Sequence, residues 1–447
     1  MKERGISHAV IVPRIEKTNP AVNYRDLMTG RWLVSHLRFA LALTSMNRYG
    51  RLNPTRREQR AIFARAREIA SDHFNALPAK PRAELRSQTL MRIAPEFHGK
   101  TFIHVSPGFK PSPEWLAVFK DPEMRIRAGN AHQTGGLEPL VTEELLKLTE
   151  MGMNGIGVSL LYMKTPMQKE DGTIHIEDLD YSDAVKAGKL VLLGTVTVPI
   201  EGKEEEAEVW AEIVLSQNGK SAVVLNLKHP EVTAFPVYPS NPEVRAKQML
   251  LLGRGALVLL EEMQKEHSVI KEKLLGLNVL PFSKIDPAIV QMNEALTAFA
   301  HPKSVQDRLT NVPQLNASIY GFTTHTPVEA GLQTFSVDLA RRMQVNTEWM
   351  QIPRIMRENR VDLTALVMTL ADTINGVSKE HGMISGQLLF PEFNGLIKGI
   401  VNGIYVPHWQ RKEFTSLVGA AHSPQNVEIM TVIHEQVKKR FADWIEK

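Results

Sequence analysis

His325 closes the apolar run Ser318–His325 and is followed by Thr326-Pro327. The run reads as a buried strand, and in open α/β sheets ligands bind outside the carboxyl ends of strands. An imidazole placed there can hold a ligand hydroxyl; the alternative is a histidine satisfied within the core. Gly135-Gly136 precede a helical pattern, so backbone amides at that helix start could cradle a phosphate. Gly-Gly pairs are also ordinary turns. Residues 375–382 put two glycines and several polar groups, Asn375, Ser378 and His381 among them, where a purely structural helix gains nothing from them. Asn402-Gly403 ends another apolar stretch and reads equally well as a simple turn.

Other chemistries lack their residues. The chain has no cysteine, which excludes disulfides, a thiolate nucleophile and cysteine metal sites. His325, His381 and His408 show no paired short spacing, so no metal site is expected. No P-loop, no full dinucleotide-binding glycine pattern and no Gly-x-Ser-x-Gly elbow occurs.

The elements that must position these residues follow an α/β rhythm. A helix is expected over Thr142–Met151, with Glu143 and Glu144 in its first turn, then a buried strand over Gly155–Tyr162. Lys189–Ile200, Glu206–Leu215 and Ser221–Lys228 read as an antiparallel meander, taken as an insertion at about 188–230. Ser240-Asn241-Pro242 starts a helix that runs to about Gln264. Ala288–Met292 and Ser318–His325 are strands, and helices between them argue for a parallel sheet. One long helix is expected from Asp362 to about Leu389, then a strand and loop over Gly395–Trp409 and a final amphipathic helix. Residues 106–130 read as loop. Residues 1–130 read as a helical or irregular N-terminal extension and 131–447 as one Rossmann-like domain.

The chain has 447 residues, with 53 Lys plus Arg against 49 Asp plus Glu, a net charge of +4. That balance argues against a dedicated nucleic-acid binder, and the arginines of Tyr24–Ala76 read as a solvated helix face. No apolar stretch reaches the roughly 20 residues a bilayer requires. The expectation is a cytoplasmic protein with no membrane and no nucleic-acid partner.

Four stretches, in order, resemble the α-glucan (glycogen/starch) phosphorylase family: FTTHTPVEAG at 322–331, INGVSKEHGMIS at 374–385, IVNGIYVPHW at 400–409, and the final helix VIHEQVKKRFADWIEK. The resemblance covers roughly residues 130–447, with weaker support from TGGLEPLVTEELLKLTEMGMNGIGVSLLY and RAKQMLLLGRGALVLL. It implies the Rossmann-like first half of a glycosyltransferase B-type fold, acting on an α-1,4-glucan or oligosaccharide and phosphate to give glucose 1-phosphate. It implies that His325, Asn293 and Asn402 bind the sugar. Gly135, Gly136 and Leu137 would turn amides toward the phosphate, and Trp409 would lie near pyridoxal phosphate. The family's second, cofactor-carrying half is absent from this chain and its anchoring lysine with it. No catalytic residue is assignable here alone, and a second protein chain carrying that half is the expected partner.

Two departures matter. The family's Asn-Glu-Gly-His-x-Ala-Phe stretch stands here as Asn293–Phe299, with Ala295 for the glycine and Leu296 for the histidine. Glu138-Pro139 follow the glycine pair, and Pro139 removes an amide donor. These changes favour the alternative of a non-catalytic glucan-binding or scaffolding descendant; a fragment of a longer enzyme and an unrelated α/β small-molecule binder also stay open.

Overall fold

The computed structural model describes residues 99–131, 136–169, 171–215, 221–329 and 332–403. Two units divide the chain, Met1–His98 and Gly99–Lys447. The basic stretch Tyr24–Ala76 and the final helix lie outside the described residues.

A nine-stranded sheet forms the second unit. In chain order its strands are β1 (Thr101–Val105), β2 (Asn154–Leu160), β3 (Leu190–Ile200), β4 (Lys203–Leu215), β5 (Ser221–Lys228), β6 (Pro287–Asn293), β7 (Ile319–Thr324), β8 (Thr373–Gly376) and β9 (Ile397–Gly399). Their spatial order is β9-β8-β7-β6-β1-β2-β5-β4-β3. The first seven in that order are parallel, and β4 runs antiparallel to both neighbours. Every residue of β1 and β2 is buried, as expected of central parallel strands covered on both faces. A mostly parallel α/β sheet of this kind is Rossmann-like, the fold class that the resemblance implies.

Four expectations need correction. Residues 99–131 are not an extension: β1 lies between β6 and β2 at the centre of the sheet. Five residues without alternation make a weak strand signal, and only pairing on both sides reveals it. The loop expected at 106–130 holds two short helices, Pro113–Leu116 and Pro122–Ala131. The meander β3–β4–β5 is present, but β5 pairs parallel with β2, so the meander is the sheet's own edge. The helix expected from Asp362 to Leu389 is broken. Asp362 caps a helix over Leu363–Leu370, β8 follows, and a short helix resumes at Lys379. Asp372 accepts from the Tyr320 amide and donates to the Tyr320 carbonyl, which draws the chain into the sheet.

Two helices matter for the site. Helix α1 (Leu137–Glu150) connects β1 to β2 and starts five residues before the expected Thr142. Glu138 rather than Glu143 or Glu144 therefore occupies its first turn. Pro139 also falls in that turn, where helix amides lack intrahelical partners anyway. Helix α2 (Pro242–Gln264) is capped by the Asn241 side chain, which accepts from Glu243 N at 2.9 Å. Its middle is buried all round, including Arg254, which pairs with Asp307 and donates to Phe299 O at 3.5 Å.

The backbone of α2 at Gly253 lies against the 3-10 turn Ala295–Ala300 that follows β6. A Cβ there would stand 2.4 Å from the Phe299 carbonyl carbon and 2.6 Å from Ala300 N. Both obstacles are backbone, so neither can swing aside. Gly253→Ala should therefore destabilise the fold by about 1–3 kcal/mol, against the roughly 1 kcal/mol an alanine gains in an open helix. Denaturant unfolding measures it; an unchanged or raised midpoint would contradict the close approach.

Candidate functional site

The chain crosses from one side of β1 to the other between β5 and β6, so the sheet's switch point lies between β1 and β6. Crevices outside the carboxyl ends of strands at such a point are where ligands bind in this class of sheet. Asn293 ends β6 and Ser106 follows β1 directly. The Asn293 Nδ2 donates to Ser106 Oγ at 3.3 Å, and Ser106 Oγ donates to Gly108 O at 3.0 Å. Asn293 Oδ1 is thereby left as an acceptor, and His325 Nε2 lies 2.7 Å from it.

This chain of donors fixes the histidine. Nε2 carries the proton and gives it to Asn293, so the Nδ1 lone pair is left as an acceptor. Burial pushes the His325 pKa down to about 4, and the nearby His381 pushes the same way. Near neutral pH the ring is an uncharged acceptor, suited to a ligand hydroxyl.

Glu294 holds the turn that presents His325. Its backbone sits at φ 64°, a conformation costing an L-residue about 1–3 kcal/mol. Its carboxylate accepts from His325 N at 2.7 Å and from Thr326 Oγ1 at 2.9 Å, while its own amide donates to Thr323 O at 2.9 Å. Burial raises the Glu294 pKa and these bonds oppose the rise.

Two cavities open at this end of the sheet, and both are lined by His325 and Asn402. The first, of about 570 Å³, is bounded by Gly136, Leu137, Glu138, Glu294 and Leu296. The second, of about 460 Å³, lies between α1 and the ends of β6, β7 and β8. Both fall in the roughly 300–1,000 Å³ range of small-molecule sites. Of the residues singled out in the sequence, Asn293 and Gly136, Leu137, His325 and Asn402 thus converge. Asn402 is placed by its amide, which donates to Val377 O at 3.3 Å. Gly135 and Trp409 lie outside the described residues. Leu296, where the family has a histidine, is buried and packs into the core.

The lining is acidic. Glu138 and Glu294 face the first cavity, and Glu143 and Glu144 face the second. Among the described residues of both linings the sole cation is Lys147, which pairs with Glu150 at 3.3 Å. Amides at the Gly136–Leu137 helix start would favour an anion, but carboxylates on the same wall oppose one. Among the described residues no group of three or more His, Asp or Glu is placed to hold a metal ion. No described helix is long and apolar enough to cross a membrane.

Sequence reasoning missed Glu294, Glu144, His104 and the relay Gln291–Thr323–Asn375. Glu294 stands beside Asn293 in a stretch already noted; Glu144 and His104 carry no local signal. Pyridoxal phosphate needs a lysine to form its Schiff base and cations for its phosphate. The described lining offers four carboxyls and one paired lysine, and does not suit that group.

Two curated phosphorylases match the chain. The chain is 25% identical over 320 residues to the maltodextrin phosphorylase of Thermococcus litoralis, a match covering 64% of this chain and 35% of the relative. It is 22% identical over 348 residues to the glycogen phosphorylase of Aquifex aeolicus, covering 69% and 46%. The chain is a divergent, phosphorylase-like sequence. It spans less than half the length of these phosphorylases. No family model matches it. A solved structure of the catalytic domain of starch synthase IV from Arabidopsis thaliana, bound to ADP and acarbose, is similar with a TM-score of 0.46 and 17% identity. That match covers 70% of this chain and 53% of the other.

The His325 assignment has a direct check. A histidine with a lowered folded-state pKa adds stability above its unfolded value of about 6.5 and loses it as pH falls toward the folded value. Nitrogen-15 NMR of the ring should show a neutral Nε2–H tautomer from pH 7 to pH 5, with a midpoint near 4. Asn293→Asp should raise that midpoint by placing a carboxylate on Nε2–H. A wild-type midpoint near 6.5 would contradict the assignment.

Proposed function

We propose that this chain is the sugar-binding half of a phosphorylase-type glycosyl-transfer assembly, taking a neutral α-1,4-glucan in the crevice at His325 and Asn402. The observation that carries the reading is the Asn293–His325 pair. It leaves an uncharged acceptor at a cavity whose described lining holds amides and carboxyls but no unpaired cation. Such groups bind hydroxyls, which give and take hydrogen bonds, better than they bind phosphate. Both relatives named above are phosphorylases, which favours a glucan over other polyols.

Transfer to phosphate, releasing glucose 1-phosphate, would need cations and pyridoxal phosphate from elsewhere. A second protein chain carrying the cofactor half is the partner this reading assigns. In the assembly, this chain binds the sugar, excludes water from one side of the crevice and orients hydroxyls on His325 Nδ1 and Asn402. Positioning of this kind is itself a large part of catalysis.

A non-catalytic glucan-binding protein is the second reading. Leu296 in place of a polar group and Glu138 buried in the first turn of α1 favour it, since both weaken a phosphate site.

Calorimetric titration of the full chain with maltoheptaose tests the shared core of both. His325→Ala and Asn402→Ala should each weaken binding by on the order of tenfold or more, one lost hydrogen bond of 1–3 kcal/mol. Inorganic phosphate alone should give no heat. Tight phosphate binding, or sugar binding indifferent to both substitutions, would overturn the reading. Release of glucose 1-phosphate from glycogen only with a co-purified cofactor-bearing chain separates the enzyme from the non-catalytic descendant.

A further inference from the structure

Asn402-Gly403 is one of five Asn-Gly pairs in the chain, and the pairs differ in what holds them. Asparagine is a thermolabile residue. Before glycine it is most exposed to ring closure, because glycine has no side chain to keep its own amide nitrogen away from the asparagine carboxamide. Closure needs a free side chain and a backbone with room to turn.

Three of the pairs are held. Asn154 is fully buried in β2. Its Nδ2 donates to Phe282 O at 3.1 Å and to Lys284 O at 3.0 Å, and its Oδ1 accepts from Phe282 N at 3.0 Å. Asn375 and Gly376 lie in β8, which pairs with β7 on one side and β9 on the other. Asn375 Oδ1 also accepts from Thr323 Oγ1 at 3.0 Å. Asn394-Gly395 form the middle of a turn closed by Leu396 N, which donates to Phe393 O at 2.9 Å, with Gly395 at φ 80°. Asn218-Gly219 lies outside the described residues.

Asn402-Gly403 has none of these restraints. Residues 401–403 are exposed and belong to no helix or strand. The Asn402 backbone amide donates to Val377 O at 3.3 Å, which keeps the residue at the crevice. Its side-chain amide hydrogen-bonds to no described residue. A Cβ added at Gly403 would meet nothing within 4 Å, so the glycine has room to turn.

We propose that Asn402 is a deamidation site, which converts spontaneously and irreversibly from a neutral amide to an acid at the mouth of the crevice. The Gly403 nitrogen attacks Asn402 Cγ, and a bond forms between them. The Cγ–Nδ2 bond breaks, and ammonia leaves with the proton that the Gly403 nitrogen gives up. Water then opens the cyclic imide. Opening at Cγ gives aspartate; opening at the Asn402 backbone carbonyl gives isoaspartate, with the main chain rerouted through Cγ. Nothing is oxidised or reduced. Either product replaces an NH₂ donor with an acceptor-only carboxylate. The walls there already carry Glu138 and Glu294 in one cavity and Glu143 and Glu144 in the other. Loss of sugar binding on conversion rests on the reading that Asn402 holds a ring hydroxyl; the modification itself does not.

Peptide mass spectrometry of the full chain, fresh and after warm incubation in mildly alkaline buffer, tests the site. Conversion should be at least about tenfold faster at Asn402 than at Asn154 or Asn375, whose surroundings must first open locally. It should also outrun conversion at Asn394. Gly403→Ala, whose methyl meets open space, should slow conversion at Asn402 by about tenfold or more and leave the other pairs unchanged. Equal rates at Asn402 and Asn154, faster conversion at Asn394, or an undiminished rate in Gly403→Ala would overturn the site. Calorimetry with maltoheptaose on the same samples separates this from the functional reading. The fraction of chain that binds should fall with the fraction converted, and Asn402→Asp should reproduce the weakened binding. Conversion with no loss of binding would overturn the sugar contact given to Asn402 and leave the modification site standing.

Discussion

The hydrogen bond from Asn293 to Ser106 ties the ends of two central parallel strands together at the point where the sheet changes direction. The orientation of the Asn293–His325 pair depends on it. It turns the Asn293 carbonyl oxygen toward His325, which fixes the imidazole proton on Nε2 and leaves Nδ1 as an acceptor. Breaking it would leave the Asn293 amide, a buried donor, unpaired, at about 1–3 kcal/mol. It would also free Asn293 to flip, and His325 to change tautomer with it.

Around that tie the fold holds a costly local conformation. Glu294 sits at positive φ and is kept there by three hydrogen bonds, one to Thr323 in β7 and two from His325 and Thr326 in the turn after it. The 3-10 turn that follows is pressed against Gly253 of α2 and braced by Arg254, itself paired with Asp307. The buried ion pair is better read as fixing geometry than as net stability, because desolvating two charges offsets most of their attraction. The site is thus held by a rigid core helix rather than by loops alone.

Much of this was legible in the sequence. The strands β2, β6 and β7 are short, largely apolar runs bounded by turns, the pattern of buried strands. His325 at a strand end, and Asn293, Gly136 and Asn402 through family resemblance, all reached the same crevice. The misses have physical causes. The β1 strand is five residues long and is defined by its neighbours rather than by its own pattern. The break after Leu370 depends on Asp372 bonding to Tyr320, a contact 52 residues away in sequence. Glu144 and His104 lie 40 residues apart on a helix and a strand, and only the packing of α1 on β1 brings them together.

The crevice has an acidic lining on one Rossmann-like sheet, in a chain that spans less than half the length of the phosphorylases it matches, and we read it as a site for a neutral ligand. We propose a division of labour, with sugar bound on this side and phosphate chemistry supplied by another. A crystal structure of the chain grown with maltotriose and inorganic phosphate together would test it most directly. We expect a sugar ring with a hydroxyl on His325 Nδ1 and another on Asn402, and no phosphate at the Gly136–Leu137 helix start. Phosphate bound at that helix start, with the sugar elsewhere, would contradict it.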